Sequence, residues 1–271
     1  MFLKLLSIEN TKIFRRSVIW VELFLFIGLT ALAYLLIGLT SPDANSISLL
    51  AVLDVKTSSV LQVTTGNSVG GLLFVVLVAA STASEYGWGT INLLLSRGAP
   101  RPLVMLAKVL AQVIPALLIV IFPLFGASVV SAFLTLAQKG SLSSISQVDW
   151  KSLAEGILLS AYTLFPYGLL AFLLATLTRS TIFSIAFAGG FSLIGENLLV
   201  GLLLALGGQF GRIIYYLPMG LARGLLGAVH PVDSAGFLSP GLSAVGILLY
   251  SLVFLGLSIW IFQRQDMSSG S

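Results

Sequence analysis

The residues whose chemistry most needs explaining are carboxylates and polar side chains set within long apolar runs. Glu22 lies about one turn into a run that begins at Ser17, and Glu196 lies midway along another, beside Asn197. A charge near a bilayer centre costs at least ~2.5–3.5 kcal/mol on insertion scales, so such groups face protein or a wet cavity. Three roles stand open for Glu196: a helix-packing hydrogen bond made as the protonated acid, a pathway-lining or substrate-contacting group, or a proton relay. The last is weakened by the lack of a second central acid. Glu22 is near enough to the start of its run to snorkel, or to pair with Arg15 or Arg16. Gln62 and Thr65, with Ser58 or Ser68, fall at helical spacing. That stripe suits the outer end of a cavity, although hydroxyls also serve as ordinary interhelical contacts in membranes.

A second charged stretch, SEYGWGTINLLLSRGAPR at 84–101, joins two of the most hydrophobic parts of the chain. On a helix Trp88, Ile91 and Leu95 share one face while Gly89, Asn92 and Ser96 share another. Thr82-x-x-Glu85 matches a capping box, and Gly98-Ala-Pro-Arg-Pro102 provides a stop followed by a proline suited to the next first turn. The pattern predicts a short helix pinned between two spans, with Glu85 and Arg97 at the ends of a face open to a partner. The plain alternative is an interfacial loop with no partner.

Other chemistries lack their residues. Without cysteine there is no thiolate, disulfide or cysteine metal site. The single histidine, His230, followed by Pro231, reads as a loop residue and forms no histidine metal cluster alone. The sequence has no serine–histidine pair or metal-ligand set of the kind an intramembrane enzyme needs, so no catalytic or metal residue is expected. A net charge of +4, with no basic cluster interleaved with aromatics, argues against nucleic-acid binding.

The elements that must hold these groups follow from composition. Of 271 residues 57% are hydrophobic and 9% charged, and the mean hydropathy is +1.05. Soluble domains carry roughly 25% charged residues, so the expected class is an all-α polytopic membrane protein forming one transmembrane domain over 1–271. Six spans are predicted, at about 17–39, 60–83, 102–137, 155–178, 181–206 and 242–263. The third exceeds a bilayer if wholly helical and has kink points at Pro115 and Pro123. Ala31-Leu32-Ala33 matches a cleavage pattern but falls in mid-run, so the first span reads as a retained anchor.

Residues 1–16 read as an amphipathic helix in the membrane interface, with Phe2, Leu5, Leu6 and Ile13 on one face and Lys4, Lys12, Arg15 and Arg16 meeting lipid head groups. A merely basic flank that fixes orientation is the alternative. With the N-terminus inside, Lys4, Lys12, Arg15, Arg16, Arg97, Arg101, Lys108, Arg179 and Arg264 are cytoplasmic. Lys56, Lys139, Lys151, Arg212 and Arg223 lie opposite. Nine against five places both termini in the cytoplasm. Residues 207–241, glycine-rich yet apolar, predict a short helix or helix pair resting on the outer membrane face. Gly189, Gly190 and Gly195 permit close helix approach, as at a subunit interface. No internal repeat is evident, which lowers the case for an inverted-repeat transporter.

The run EYGWGTINLLLSRGAPRPLVMLAK resembles the signature of ABC-2 type transporter permeases, through Glu85, Tyr86, Gly89, Thr90, Leu93–Leu95, Arg101 and Lys108. LATLTRSTIFSIAFAGGFSLIGENLL resembles that family's passage from span four into span five, with Glu196 as its glutamate, and YLPMGLARGLLG resembles its segment between spans five and six. The resemblance implies that the connection between spans two and three is a cytoplasmic coupling helix, contacting an ATPase through Glu85, Tyr86, Trp88, Gly89, Thr90, Arg97 and Arg101. It implies a dimer, with a second copy or a homologous permease, above two ATPase subunits in a prokaryotic plasma (inner) membrane. ATP and magnesium would then bind the partner, and this chain would need no cofactor and be no enzyme itself. The absence of a Gly-x4-Gly-Lys-Ser/Thr loop agrees with that division. Glu22, Gln62, Thr65, Glu196 and Asn197 are the intramembrane pathway candidates. The rival reading is a secondary transporter driven by an ion gradient through Glu196 and Glu22.

Overall fold

The computed structural model describes residues 2–40, 48–89, 100–229 and 236–265, and among them every regular element is helical. Six segments are long and apolar enough to cross a membrane: Ser17–Thr40, Val69–Gly87, Arg101–Gln138, Trp150–Thr178, Thr181–Leu206 and Pro240–Arg264. By length and composition the chain is therefore a multi-pass membrane protein. Helix α1 (Phe2–Arg15) precedes span one, α2 (Ser17–Thr40), and buries Leu5, Glu9 and Ile13 at a spacing of four. His230 lies outside the described residues.

Span two differs from the expected 60–83. A short α3 (Leu49–Leu53) and α4 (Ser59–Val63) come first, then a turn, then α5 (Val69–Gly87). Thr65-Gly66-Asn67-Ser68 interrupts the helix because Ser68 Oγ donates to the carbonyls of Val63 and Thr65, which competes with helical pairing. At its other end α5 runs past Thr82, so the expected capping box is not a helix start there. Thr82 is 1% exposed in mid-helix.

Span three is α6 (Arg101–Ala111) and α7 (Val113–Lys139), divided at Gln112. Pro115 cannot donate to the Ala111 carbonyl and crowds it, which places the division. At Pro123, by contrast, α7 runs on as one helix. Span four is α8 (Trp150–Thr163) and α9 (Phe165–Thr178), broken at Leu164 ahead of Pro166. It starts five residues earlier than expected because Asp149 caps it, accepting from the Lys151 and Ser152 amides at 3.1 and 3.2 Å. Arg179, in the left-handed region at φ 53°, and Ser180, capping Phe183, turn the chain directly into span five. That span is α10 (Thr181–Gly190), one wide π turn (Phe191–Gly195) and α11 (Glu196–Leu206).

After span five a 3-10 turn (Phe210–Tyr216) leads into α12 (Pro218–Leu226), and α13 (Pro240–Arg264) is span six. The expected short helices of this connection are present, and they pack beside the start of α13. Leu221 and Leu225 share a small core with Ile247, and the Tyr250 hydroxyl donates to the Tyr216 carbonyl at 3.2 Å. Glycines make the fit possible, since a Cβ at Gly224 would meet Ser243 and the Leu238 carbonyl, and one at Gly246 would meet Leu221. The main core lies between spans two, three and four, around Phe74, Met105, Ile119, Tyr167 and Phe172.

Candidate functional site

Two polar clusters occupy this apolar bundle. The first gathers α1, the end of α5 and the start of span three. Lys108 Nζ lies 2.9 Å from Glu9 Oε2 and 2.5 Å from Glu85 Oε2. Lys12 Nζ lies 2.7 Å from Glu9 Oε1 and 3.2 Å from Glu85 Oε1. Two lysines and two carboxylates thus alternate in a closed ring. Arg16 adds a third cation, 3.9 Å from Glu85 Oε1, with Nη1 donating to the Ala80 carbonyl and Ser84 Oγ. Glu9, Glu85 and Lys108 are each 5% exposed or less.

Buried charges of this kind persist only when each is paired and hydrogen-bonded. Burial pushes the Glu9 carboxyl up, but Lys108 and Lys12 more than offset it and hold the group below its ordinary 4.5. Burial likewise pushes Lys12 down, and hydrogen bonding to Glu9 with the charges of Glu85 and Glu9 raises it above 10.5 overall. Arg16 is lowered by burial, which the two carboxylates only partly counter.

The sequence reading put Glu85 at the end of a face open to a partner. In the structure it sits within α5, 2% exposed, where Lys12 and Lys108, 73 and 23 residues away, meet it. Tyr86 packs edge-on against Phe262, with the Arg179 guanidinium 5.7 Å above its ring. Arg101 Nη1 donates to the Phe262, Gln263 and Gln265 carbonyls and so satisfies the orphan groups closing span six. Trp88 is the outward member of the set, 69% exposed with Arg16 5.2 Å over its ring. Gly89 follows it at φ 66°. Thr90 and Arg97 lie outside the described residues, as does most of the stretch expected to form a coupling helix.

The second cluster lies where spans two, four and five are interrupted. The Gly66 amide donates to Thr163 Oγ1 at 3.1 Å, and Ser192 Oγ donates to the Gly66 carbonyl at 2.8 Å. A side chain at Gly66 would run into the Thr163 carbonyl and the Tyr167 ring. One turn along span four, the Tyr167 hydroxyl donates to Glu196 Oε2. Glu196 Oε1 accepts from the Met219 amide at 2.6 Å, in the first turn of α12. The carboxylate is 0% exposed and faces the positive end of that helix. Each break frees backbone groups, and the neighbouring breaks and hydroxyls satisfy them.

The other pathway candidates separate. Asn197 is exposed and donates to the Leu193 carbonyl of its own helix rather than joining Glu196. Glu22 is 8% exposed, yet neither oxygen has a hydrogen-bond partner among the described residues. The expected pairing with Arg15 or Arg16 is not made, since Arg16 is engaged by the first cluster. Gly189 does support close approach, but to Leu72 of span two in the same chain. Gln62 and Thr65 line a cavity of about 380 Å³ beside the second cluster, with Asn67, Ser68 and, from α12, Ala222, Arg223 and Leu226. The sequence reading missed Gly66, Tyr167, Ser192 and Arg223 as parts of this region. The Gly66-Asn67-Ser68 run, a turn-forming triplet inside an apolar segment, was the available signal.

A family model described as "Protein of unknown function (DUF2705)" matches residues 23–268, and the chain belongs to that family. No curated protein matches the sequence.

Proposed function

Starting from membership in a family without an assigned activity, we propose that this chain is the membrane subunit of an ATP-driven exporter of the ABC-2 type, working as a dimer with two separate ATPase subunits. The observation that carries a transport role is the convergence of three interrupted spans beside a polar cavity. Irregular backbone at membrane depth is tolerated where protein or a wet cavity surrounds it, and transporters place their sites at such breaks. The ATPase-driven form rests on the resemblance of residues 85–108 to the coupling region of those permeases.

In this reading α1 lies in the cytoplasmic interface, both termini are cytoplasmic, and the stretch from Trp88 to Arg101 receives the ATPase. The ion ring makes α1 and the facing ends of spans two and three one unit, so a push on the intervening connection moves them together. Movement along α5 then reaches the Gly66 break and the cavity beyond it. Ion-gradient coupling is the second reading, favoured only by Glu22, which has no hydrogen-bond partner among the described residues, since Glu196 is engaged by Tyr167 and Met219.

A photo-crosslinking residue in place of Trp88, in native membranes, tests the docking directly. The expected product is an adduct with a polypeptide carrying a phosphate-binding loop. Adducts confined to lipid or to this chain, in membranes where the protein remains active, overturn the ATPase-coupled reading.

A further inference from the structure

The cavity beside the second cluster has a chemistry of its own. Its one charged lining group among the described residues is Arg223, an exposed side chain on α12. The Arg223 guanidinium rests 6.0 Å from the Phe237 ring, which the Tyr215 ring in turn meets edge-on at 5.2 Å. No described residue accepts a hydrogen bond from it. Glu196 has both oxygens occupied by Tyr167 and Met219, so Arg223 is not needed to satisfy that carboxylate.

Two amides line the same cavity. Thr65 Oγ1 lies 3.3 Å from the Asn67 amide oxygen, which leaves the Asn67 nitrogen with hydrogens to donate, and the Gln62 amide has no hydrogen-bond partner among the described residues. The Thr65 and Ser68 hydroxyls are turned onto backbone carbonyls at 2.6–2.8 Å. A planar guanidinium sharing a cavity with amide donors suits an oxyanion, because its fork of N–H groups matches two oxygens at once. Ala222 and Leu226 make the adjoining wall apolar.

We infer that this cavity binds a phosphate-type oxyanion, held by Arg223 and the Gln62 and Asn67 amides, either free or as the head group of an amphiphile whose apolar part lies along Ala222 and Leu226. Its place as a cargo site rests on the transport reading above; the binding itself does not. Because the anchoring cation lies at an open cavity and not in the core, it can be replaced without emptying packed space.

Binding of inorganic phosphate, short-chain phosphatidic acid and phosphatidylcholine of the same chain length to the purified full chain tests the inference, by calorimetry in neutral detergent. Arg223→Ala should weaken the oxyanion ligand at least tenfold, and Arg223→Lys should recover part of the loss, with the melting temperature of both variants near that of the parent. Phosphatidic acid well above phosphate identifies a head-group site, and equal affinities identify a free-anion site. No binding of either, or binding indifferent to Arg223, or phosphatidylcholine binding as well as phosphatidic acid, overturns the inference. Loss of ATP coupling with this binding intact would remove the transport reading and leave the site standing.

Discussion

The two polar clusters of this bundle are made of different materials. At the amino-terminal end, Glu9, Lys12, Glu85 and Lys108 form a ring of full charges whose members come from α1, α5 and α6. In the interrupted region Glu196 is the sole carboxylate among the described residues; its partners are a phenol and a backbone amide, and beside it hydroxyls meet the backbone of Gly66. Full charges bind strongly but tolerate no loss, since a removed partner leaves an uncompensated ion buried. Neutral donors around helix breaks contribute less each and permit small rearrangements, because a freed amide or hydroxyl finds another acceptor nearby. The first arrangement suits a rigid joint and the second a region that can change shape.

That contrast is broken most severely by Lys108→Met. Glu9 and Glu85 then share Lys12, and the loss should be about 3–5 kcal/mol, read as a large fall in thermal unfolding temperature in detergent. Adding Glu9→Gln to Lys108→Met, which leaves Glu85 paired with Lys12 and Arg16, should recover part of it. If Lys108→Met unfolds like the parent, the ring is not a joint.

Gly66→Ala should cost less, roughly 1–3 kcal/mol, as overpacking against Thr163 and Tyr167. Its distinguishing effect is local, with faster hydrogen exchange around 64–68 and 191–196 and unchanged exchange in α1. A uniform rise across both clusters would erase the distinction between them.

Acidification sharpens the comparison further. The Glu9 carboxyl is held below 4.5 in the folded protein, so its stabilisation is present above that value and is lost as pH falls through the lower, folded value. Lys12 is raised above 10.5, so its contribution is present below 10.5 and lost as pH rises through the higher, folded value. Hydrogen exchange of α1 should therefore be slowest between these limits and accelerate at either extreme. Replacing Glu9 with glutamine should remove the acid limb; an acid limb that survives assigns it elsewhere.

The smallest effect on stability belongs to Trp88→Ala. Its exposed contact with Arg16 is worth about 0.5–1 kcal/mol, so the unfolding temperature should barely move. The same variant should lose ATPase association, whereas the paired Lys108→Met and Glu9→Gln variant should keep it.

The spans were legible because twenty-residue apolar runs leave few alternatives, and five of the six begin within about five residues of where the sequence placed them. Span two was misplaced because its polar stripe at Gln62, Thr65 and Ser68 was read as continuous helix, when Gly66 and the Ser68 hydroxyl break it. Asp149 was a readable cap that would have corrected the start of span four. Glu85 shows the limit in another form. Its charge was visible, but a carboxylate looks alike in sequence whether it meets solvent, an ATPase or a lysine 73 residues away. Glu196 stood out in the sequence as a group needing partners, while Tyr167 and Met219 were hidden because both look like ordinary apolar packing residues. The fold of α12 back along α13 was likewise unreadable, since it depends on which glycines face which side chains.

The central claim, that ATP on a separate subunit moves the interrupted region, is tested most directly by thiol labelling. The chain has no cysteine, so Gln62→Cys supplies a single reporter on the cavity. In proteoliposomes holding the chain and the ATPase that co-purifies with it, magnesium-ATP should change the labelling rate severalfold, and the chain alone should not respond. Labelling that ignores ATP but follows a proton or sodium gradient, in vesicles without any ATPase, would contradict the account.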